Sequence, residues 1–247
     1  MAGQTVLAMR TKSPTCDEFS HHVASGYSYL VTGDFRMNPA SPPLPRMLSA
    51  APLLFLKPRV PLEHESWIKG DSPEFARQFF EVANHRQDEY IFWARLPIVI
   101  LSVLFGYAVF SFSRSLWGNW GGLAGLFLYS FCPDILAHSG LATADLAVSF
   151  FMFLTLVFFY RYLISPTFTQ LAACAAFAGL ALLSKFSAVL IFPILLVAAL
   201  ASGKAKRIAL PRTALFLGLC LLTVWAGYFF EVKPLLTNTP APEKKIA

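Results

Sequence analysis

The chain has two textures. Up to residue 93, short apolar stretches are broken every few residues by charge, proline or glycine. From Leu96 to Gly203, only Arg114, Asp134, Asp145, Arg161 and Lys185 interrupt an uncharged sequence. Cutting at the charges leaves apolar runs at 96–113, 115–133, 146–160, 162–184, 186–203 and 213–230. A bilayer-crossing helix needs about 20 mostly apolar residues, roughly 17–25. All but 146–160 reach that length, and this run is extended by Arg161, whose stem can snorkel, and by the apolar residues up to Ile164. The pattern predicts an all-α integral membrane protein with about six transmembrane helices over 94–230.

Residues 1–93 hold shorter elements. Gln4–Met9 is too short to span, and no small-residue cleavage site follows it as in a signal peptide. Thr15–Tyr29 reads as a short amphipathic helix that Thr15 or Asp17 can cap. Proline breaks the chain at 39–45, and Met47–Leu56 follows as an apolar helix too short to cross, expected in the plane of the membrane interface. Pro58 to Asp71 reads as a loop. Ser72–Asn84 is helical again, with Ser72 as cap, Pro73 at the first position and Glu74 in the first turn. The organisation expected is an external region with interfacial juxtamembrane helices (1–93), a six-helix region (94–230) and an external tail (231–247), with no internal repeat.

Composition agrees. Hydrophobic residues make up 56% and charged residues 14%, against about 25% charged in soluble domains. With 24 Phe and 4 Cys, neither disorder nor a disulfide framework fits. The net charge of +6 suggests nucleic acid only until it is divided: residues 1–93 carry 9 Lys/Arg and 10 Asp/Glu, and residues 94–247 carry 11 and 4. Sparse cations between apolar runs are topology signals, and nucleic acid is set aside. Arg114, Arg161 and the cluster Lys204, Lys206, Arg207 and Arg212 fall in alternate loops, which are therefore assigned to the cytoplasm. That puts residues 1–93, the 134–145 loop, Lys185 and the tail on the external side of the plasma (inner) membrane.

The same side collects the candidate chemistry. Asp17 and Glu18, followed by His21 and His22, form the densest titratable cluster. A carboxylate at a water–lipid boundary can serve as general base, and two acids in a first helical turn can equally serve the helix dipole. Asp17 and His21, four apart, can supply two metal ligands, so a divalent metal stays open, without diagnostic ligand spacing. Asp145 opens a transmembrane run and is either a reactive acid or an N-terminal cap; His138 shares its loop. Lys185, alone between two apolar runs, either snorkels to headgroups or holds a phosphate. Arg36, Arg46 and Arg77 have the same two readings, with lipid headgroups or loop ion pairs as the default. Cys16, Cys132, Cys174 and Cys220 lack metal-ligand spacing and read as packing residues.

Taken in order, these segments resemble the family 39 glycosyltransferases, the polyprenyl-phosphate-sugar-dependent enzymes that include protein O-mannosyltransferases and aminoarabinose transferases. The resemblance runs through Asp17-Glu18 with His21-His22, Gly33-Asp34-Phe35-Arg36 and Pro42-Pro43-Leu44, then Gly70-Asp71 to Arg77 and Ala94-Arg95-Leu96-Pro97. It continues through Pro133-Asp134 to His138, Asp145, Ser184-Lys185 and Trp225 to Glu231. It implies a GT-C fold with an external active site and inverting transfer from a polyprenyl-phosphate sugar to a protein or lipid acceptor. It further implies that Asp17 is the catalytic aspartate, Glu18 its motif partner and Asp145 the second-loop aspartate. Lys185, His138 and Arg77 are candidates for the departing phosphate, with His21, His22 and Arg36 in support. The family has a helix before the Asp-Glu motif and more helices beyond Glu231, so the chain is expected to be the front part of a longer enzyme. The competing expectation is a non-catalytic membrane scaffold or small transporter subunit, against which stands the absence of charge in mid-span.

Overall fold

The computed structural model describes residues 2–204 and 210–232, and every regular element among them is helical. A cap of short helices comes first. It comprises α1 (Ala2–Met9), a π-helical turn Glu18–Val23 running into α2 (Ala24–Thr32), then α3 (Leu44–Ala50) and α4 (Leu53–Leu56). α5 (Glu65–Lys69) and α6 (Ser72–Arg77) complete it, the latter continuing into a second π-helical turn, Gln78–Asn84. The long apolar part follows with α7 (Gln87–Ser130), the short α8 (Pro133–His138), α9 (Asp145–Ile164) and α10 (Phe168–Leu182). A 3₁₀ turn, Phe186–Leu190, leads to α11 (Ile191–Ala201), and α12 (Leu210–Gly227) is the last described helix.

α7 is a hairpin rather than a rod. On a straight helix Ser102 and Tyr129 would stand about 40 Å apart at 1.5 Å per residue. Instead the Tyr129 hydroxyl donates to the Ser102 carbonyl at 2.7 Å, and the rings of Phe105 and Tyr129 lie 5.0 Å apart. The chain reverses at Trp117-Gly118, where Gly118 has φ 68° and ψ −166°, a conformation open essentially to glycine alone. Arg114, the charge that divides the first two apolar runs, lies just before this turn. The two limbs meet on glycines: a Cβ at Gly122 would come within 2.9 Å of the Arg114 and Phe110 side chains.

Each of the six apolar runs is helical, but fewer are long. α7, α9 and α12 are long and apolar enough to cross a membrane, whereas α10 and the helix over Phe186–Ala201 are apolar but shorter. Among the described residues, length alone therefore supports three spans and does not establish the six expected. Part of the reason is that uncharged turn chemistry hides inside the apolar runs. Pro166 follows the end of α9, and the Thr167 hydroxyl caps α10 by accepting from the Gln170 N–H at 3.3 Å.

The cap also departs from expectation. The 15–29 helix is buried on every side from Val23 to Tyr29, because α3 and α6 pack against it and its small residues admit close neighbours. A Cβ at Gly26 would collide with the Arg46 carbonyl oxygen. The expected 47–56 helix is two pieces broken around Pro52, with Ala50 and Leu53 wholly buried in the cap's own core. The 58–71 loop contains α5, and Asp71 rather than Ser72 caps α6. α7 begins at Gln87, and Tyr90, Ile91 and Ala94 join the cap's core, so the boundary at 93 falls inside one packed unit. Lys206, Arg207 and all of the expected tail after Val232 lie outside the described residues.

Candidate active site

The Asp-Glu pair sits where the chain turns into its second helix. Thr15 and Glu18 close a reciprocal cap: the Thr15 hydroxyl accepts from the Glu18 N–H at 3.4 Å, and Glu18 Oε2 accepts from the Thr15 N–H at 2.9 Å. This geometry turns the two acids to different fates. Asp17 is exposed, and its side chain does not cap the helix. Glu18 has 0% exposure and accepts from five donors. Arg95 grips both oxygens, Nε to Oε1 at 2.7 Å and Nη2 to Oε2 at 2.8 Å. The Ala142 N–H gives 2.8 Å to Oε1, and the Thr15 N–H and hydroxyl complete the set. Burial pushes the Glu18 carboxyl up, but the hydrogen bonds from Arg95, Ala142 and Thr15 outweigh it and hold the group below its ordinary value.

Arg95, 1% exposed, does more than neutralise Glu18. Its Nη1 donates to the carbonyls of Met9 and Lys12 at 3.2 and 3.0 Å, and Nη2 to that of Ser13 at 3.1 Å. One guanidinium thus fixes the end of α1, the segment before the motif and the motif's second acid to α7. In sequence Arg95 is only a motif member with no role assigned. The available signal was a lone cation just inside the start of an apolar helix, a place that needs a partner.

A second cluster forms at the start of α9. Lys185 Nζ donates to Asp145 Oδ1 at 2.8 Å across 40 residues of sequence, and His138 Nδ1 stands 3.8 Å from Oδ2. The latter is an ion pair only when His138 is protonated, and too long for a hydrogen bond. Asp145 does not cap α9, since position 144 is the cap and gives no side-chain hydrogen bond. All three side chains are between 41% and 48% exposed, although the His138 Nδ1 atom itself is buried without a hydrogen-bond partner. Lys185 is held in extended backbone just after α10, with its N–H on the Ala181 carbonyl.

The remaining candidates separate. Arg36 pairs with Asp34 at 2.8 Å and lies over the Trp67 ring, and Arg77 pairs with Glu74 at 2.7 Å on its own helix. Both are the loop ion pairs of the default reading, and neither meets Asp145 or Lys185 in a hydrogen bond or ion pair. Arg46 is neither a loop ion pair nor a headgroup contact. It is 1% exposed, with Nη1 on the Tyr29 hydroxyl and the carbonyls of Asn38 and Ser41, and its buried Nε has no partner. Burial, and next the Arg46 charge, push His22 down to about 4, so at neutral pH it is not a cation for a phosphate. The Nδ1 atoms of His21 and His22 are buried without partners. Among the described residues no three His, Cys, Asp or Glu side chains converge to hold a metal ion, so no third such side chain joins Asp17 and His21.

Segments far apart in sequence nonetheless converge. Glu18 bonds the loop that leads through Ala142 to Asp145; the Leu44 N–H donates to the Leu183 carbonyl, two residues before Lys185. Phe35 packs edge-on against Tyr228 and at a tilt against Phe229, ring centroids 5.1 and 5.6 Å apart, joining the turn after α12 to the cap. The result is a rigid, buried frame carrying two exposed ionic elements, a free carboxylate and a lysine–aspartate–histidine group. Such a pair can take a proton at one point and meet negative charge at another.

Comparison with known proteins places the chain in a family, through a stretch that begins beyond Asp17 and Glu18. A family model described as dolichyl-phosphate-mannose-protein mannosyltransferase matches residues 75–228, from α6 through the last described helix. No curated protein matches the chain, and no solved structure does.

Proposed function

The chain belongs to the dolichyl-phosphate-mannose-protein mannosyltransferase family, and from that premise we propose that it serves inverting transfer of a sugar from a polyprenyl-phosphate donor to a protein or lipid acceptor at the external membrane face. One observation carries the assignment of roles: of two adjacent acids, Glu18 is saturated and buried whereas Asp17 is exposed and free. A base needs a free lone pair that an acceptor can reach, which only Asp17 offers. In this reading Asp17 takes the proton of the acceptor hydroxyl as its oxygen attacks the anomeric carbon. The bond from that carbon to the phosphate oxygen breaks, and the electron pair leaves with the polyprenyl phosphate. Lys185, with His138 beside it, meets the departing charge. Asp145 keeps the Lys185 ammonium aimed along 2.8 Å rather than free on its four-carbon stem. Glu18 is a positioning residue, and Arg77 and Arg36 are spent on their own ion pairs. The apolar helices give the polyprenyl tail a bilayer in which to lie.

The test is Asp17→Asn in the full chain, measured as transfer of labelled mannose from polyprenyl-phosphate mannose to membrane acceptors. Transfer is expected to be lost while thermal stability is unchanged. Retained transfer would remove Asp17 as the base.

A further inference from the structure

The described helices line a half-open apolar cavity of about 330 Å³ between α9, α10, α11 and α12, remote from the acids. Phe159, Tyr162, Phe192, Leu195 and Phe216 line it, and Arg212 with Thr213 stands at its edge. Its volume falls in the range of small-molecule sites, roughly 300–1,000 Å³. Phe159 and Tyr162 lie 14 and 17 residues beyond Asp145 on α9, which sets the cavity about 20–25 Å along the helix axis from the lysine–aspartate group. It is a separate site at the other end of the bundle.

Charge says what would fill it. The sequence has no Asp or Glu between Asp145 and Glu231, yet Arg161, Lys204, Lys206, Arg207 and Arg212 all fall in that stretch and away from Lys185. Arg161 ends α9 lying over the Phe158 ring, and Arg212 opens α12, exposed. No carboxylate from this stretch can neutralise them, and the counter-charge a membrane surface offers is anionic lipid. An apolar cavity edged by a cation asks for a ligand with a hydrocarbon chain and a negative head. We propose that this cavity binds an anionic phospholipid, with one acyl chain between α9 and α12 and its phosphate on Arg212.

The experiment uses the full chain in detergent micelles with added phosphatidylglycerol or phosphatidylcholine, read as the shift in thermal unfolding and as lipid adducts retained in native mass spectrometry. Phosphatidylglycerol is expected to stabilise the chain by several degrees more than phosphatidylcholine. Arg212→Gln should weaken phosphatidylglycerol binding about fivefold, the value of one cation near an anionic surface. Leu196→Trp, which narrows the cavity from its exposed edge, should reduce retention of both lipids. Arg161→Gln, on the same end but outside the lining, should leave the preference standing. Equal stabilisation by the two lipids, or equal losses from Arg161→Gln and Arg212→Gln, would overturn the site in favour of a diffuse basic surface. Stabilisation by polyprenyl phosphate but not by phosphatidylglycerol would overturn the assignment of the ligand.

Discussion

Replacing Glu18 by Gln removes one charge and exchanges one acceptor oxygen for an NH₂ group, in a site where every neighbour donates. With the amide nitrogen in place of Oε1 it faces Arg95 Nε and the Ala142 N–H; in place of Oε2 it faces Arg95 Nη2 and both Thr15 donors. Either orientation leaves at least two buried donors unmatched and the guanidinium without its counter-charge. Breaking a fully buried pair from one side costs about 3–5 kcal/mol. For a chain of this size each kcal/mol moves the midpoint by about 2–4 °C, so Glu18→Gln should unfold roughly 6–20 °C earlier in a detergent thermal scan. Asp17→Asn is the internal control: one residue away, exposed, and expected within about 0.5 kcal/mol of the parent. A double-mutant cycle with Arg95→Met should show coupling, because each single change strands the partner's charge. A Glu18→Gln midpoint within a degree of the parent would refute the claim that this carboxylate clamps the Thr15 turn, the 139–144 loop and α7 together.

Acid should unfold the cap in two windows. His22, depressed to about 4, opposes folding as the unfolded state gains its proton below about 6.5; Glu18, held below its ordinary value, contributes stability above about 4.3 that is lost as pH falls through its folded value. His22→Asn should therefore flatten the upper window of a stability–pH profile and Glu18→Gln the lower. Gly26→Ala should destabilise by about 1–3 kcal/mol or more, measured by thermal scan, because its Cβ would meet a backbone carbonyl oxygen that cannot rotate away. Lys185→Gln should lower the rate of sugar transfer by about 10²-fold or more with little change in stability, since its ion pair is half-exposed and worth at most about 1 kcal/mol to folding; a stability loss matching the activity loss would make it structural.

Much of this site was legible in the sequence because membrane chains announce their topology through charge. Counting cations in alternate loops puts Asp145, His138 and Lys185 in loops of one side, and in the structure Lys185 and His138 both lie beside Asp145. What stayed hidden needed contacts at long range. Nothing near Glu18 shows that Arg95, 77 residues on, and the Ala142 N–H, 124 residues on, will saturate it. Nor does the sequence around Arg46 reveal that carbonyls and a tyrosine hydroxyl, rather than a carboxylate, will receive its charge. Length alone does not establish six spans for a different reason: Pro166 and Thr167 end and begin helices without carrying charge, so cutting at charges cannot see them.

If Asp17 is the base proposed above, the division between Asp17 and Glu18 gives a physical reason for adjacent acids at a membrane surface. A base that works at a membrane surface must stay exposed to its acceptor, and an exposed side chain on a short helix is poorly positioned by its own contacts. The capping box places Glu18 three residues after Thr15 and turns it inward, and Arg95 anchors it to the longest helical element of the chain. Asp17 precedes it by one backbone unit and inherits that anchoring without spending its own oxygens. Because Glu18 Oε1 also holds the Ala142 N–H, three residues before Asp145, the lysine–aspartate group is referenced to the same carboxylate. Loss of Glu18 should therefore impair catalysis and folding together, whereas loss of Asp17 separates them.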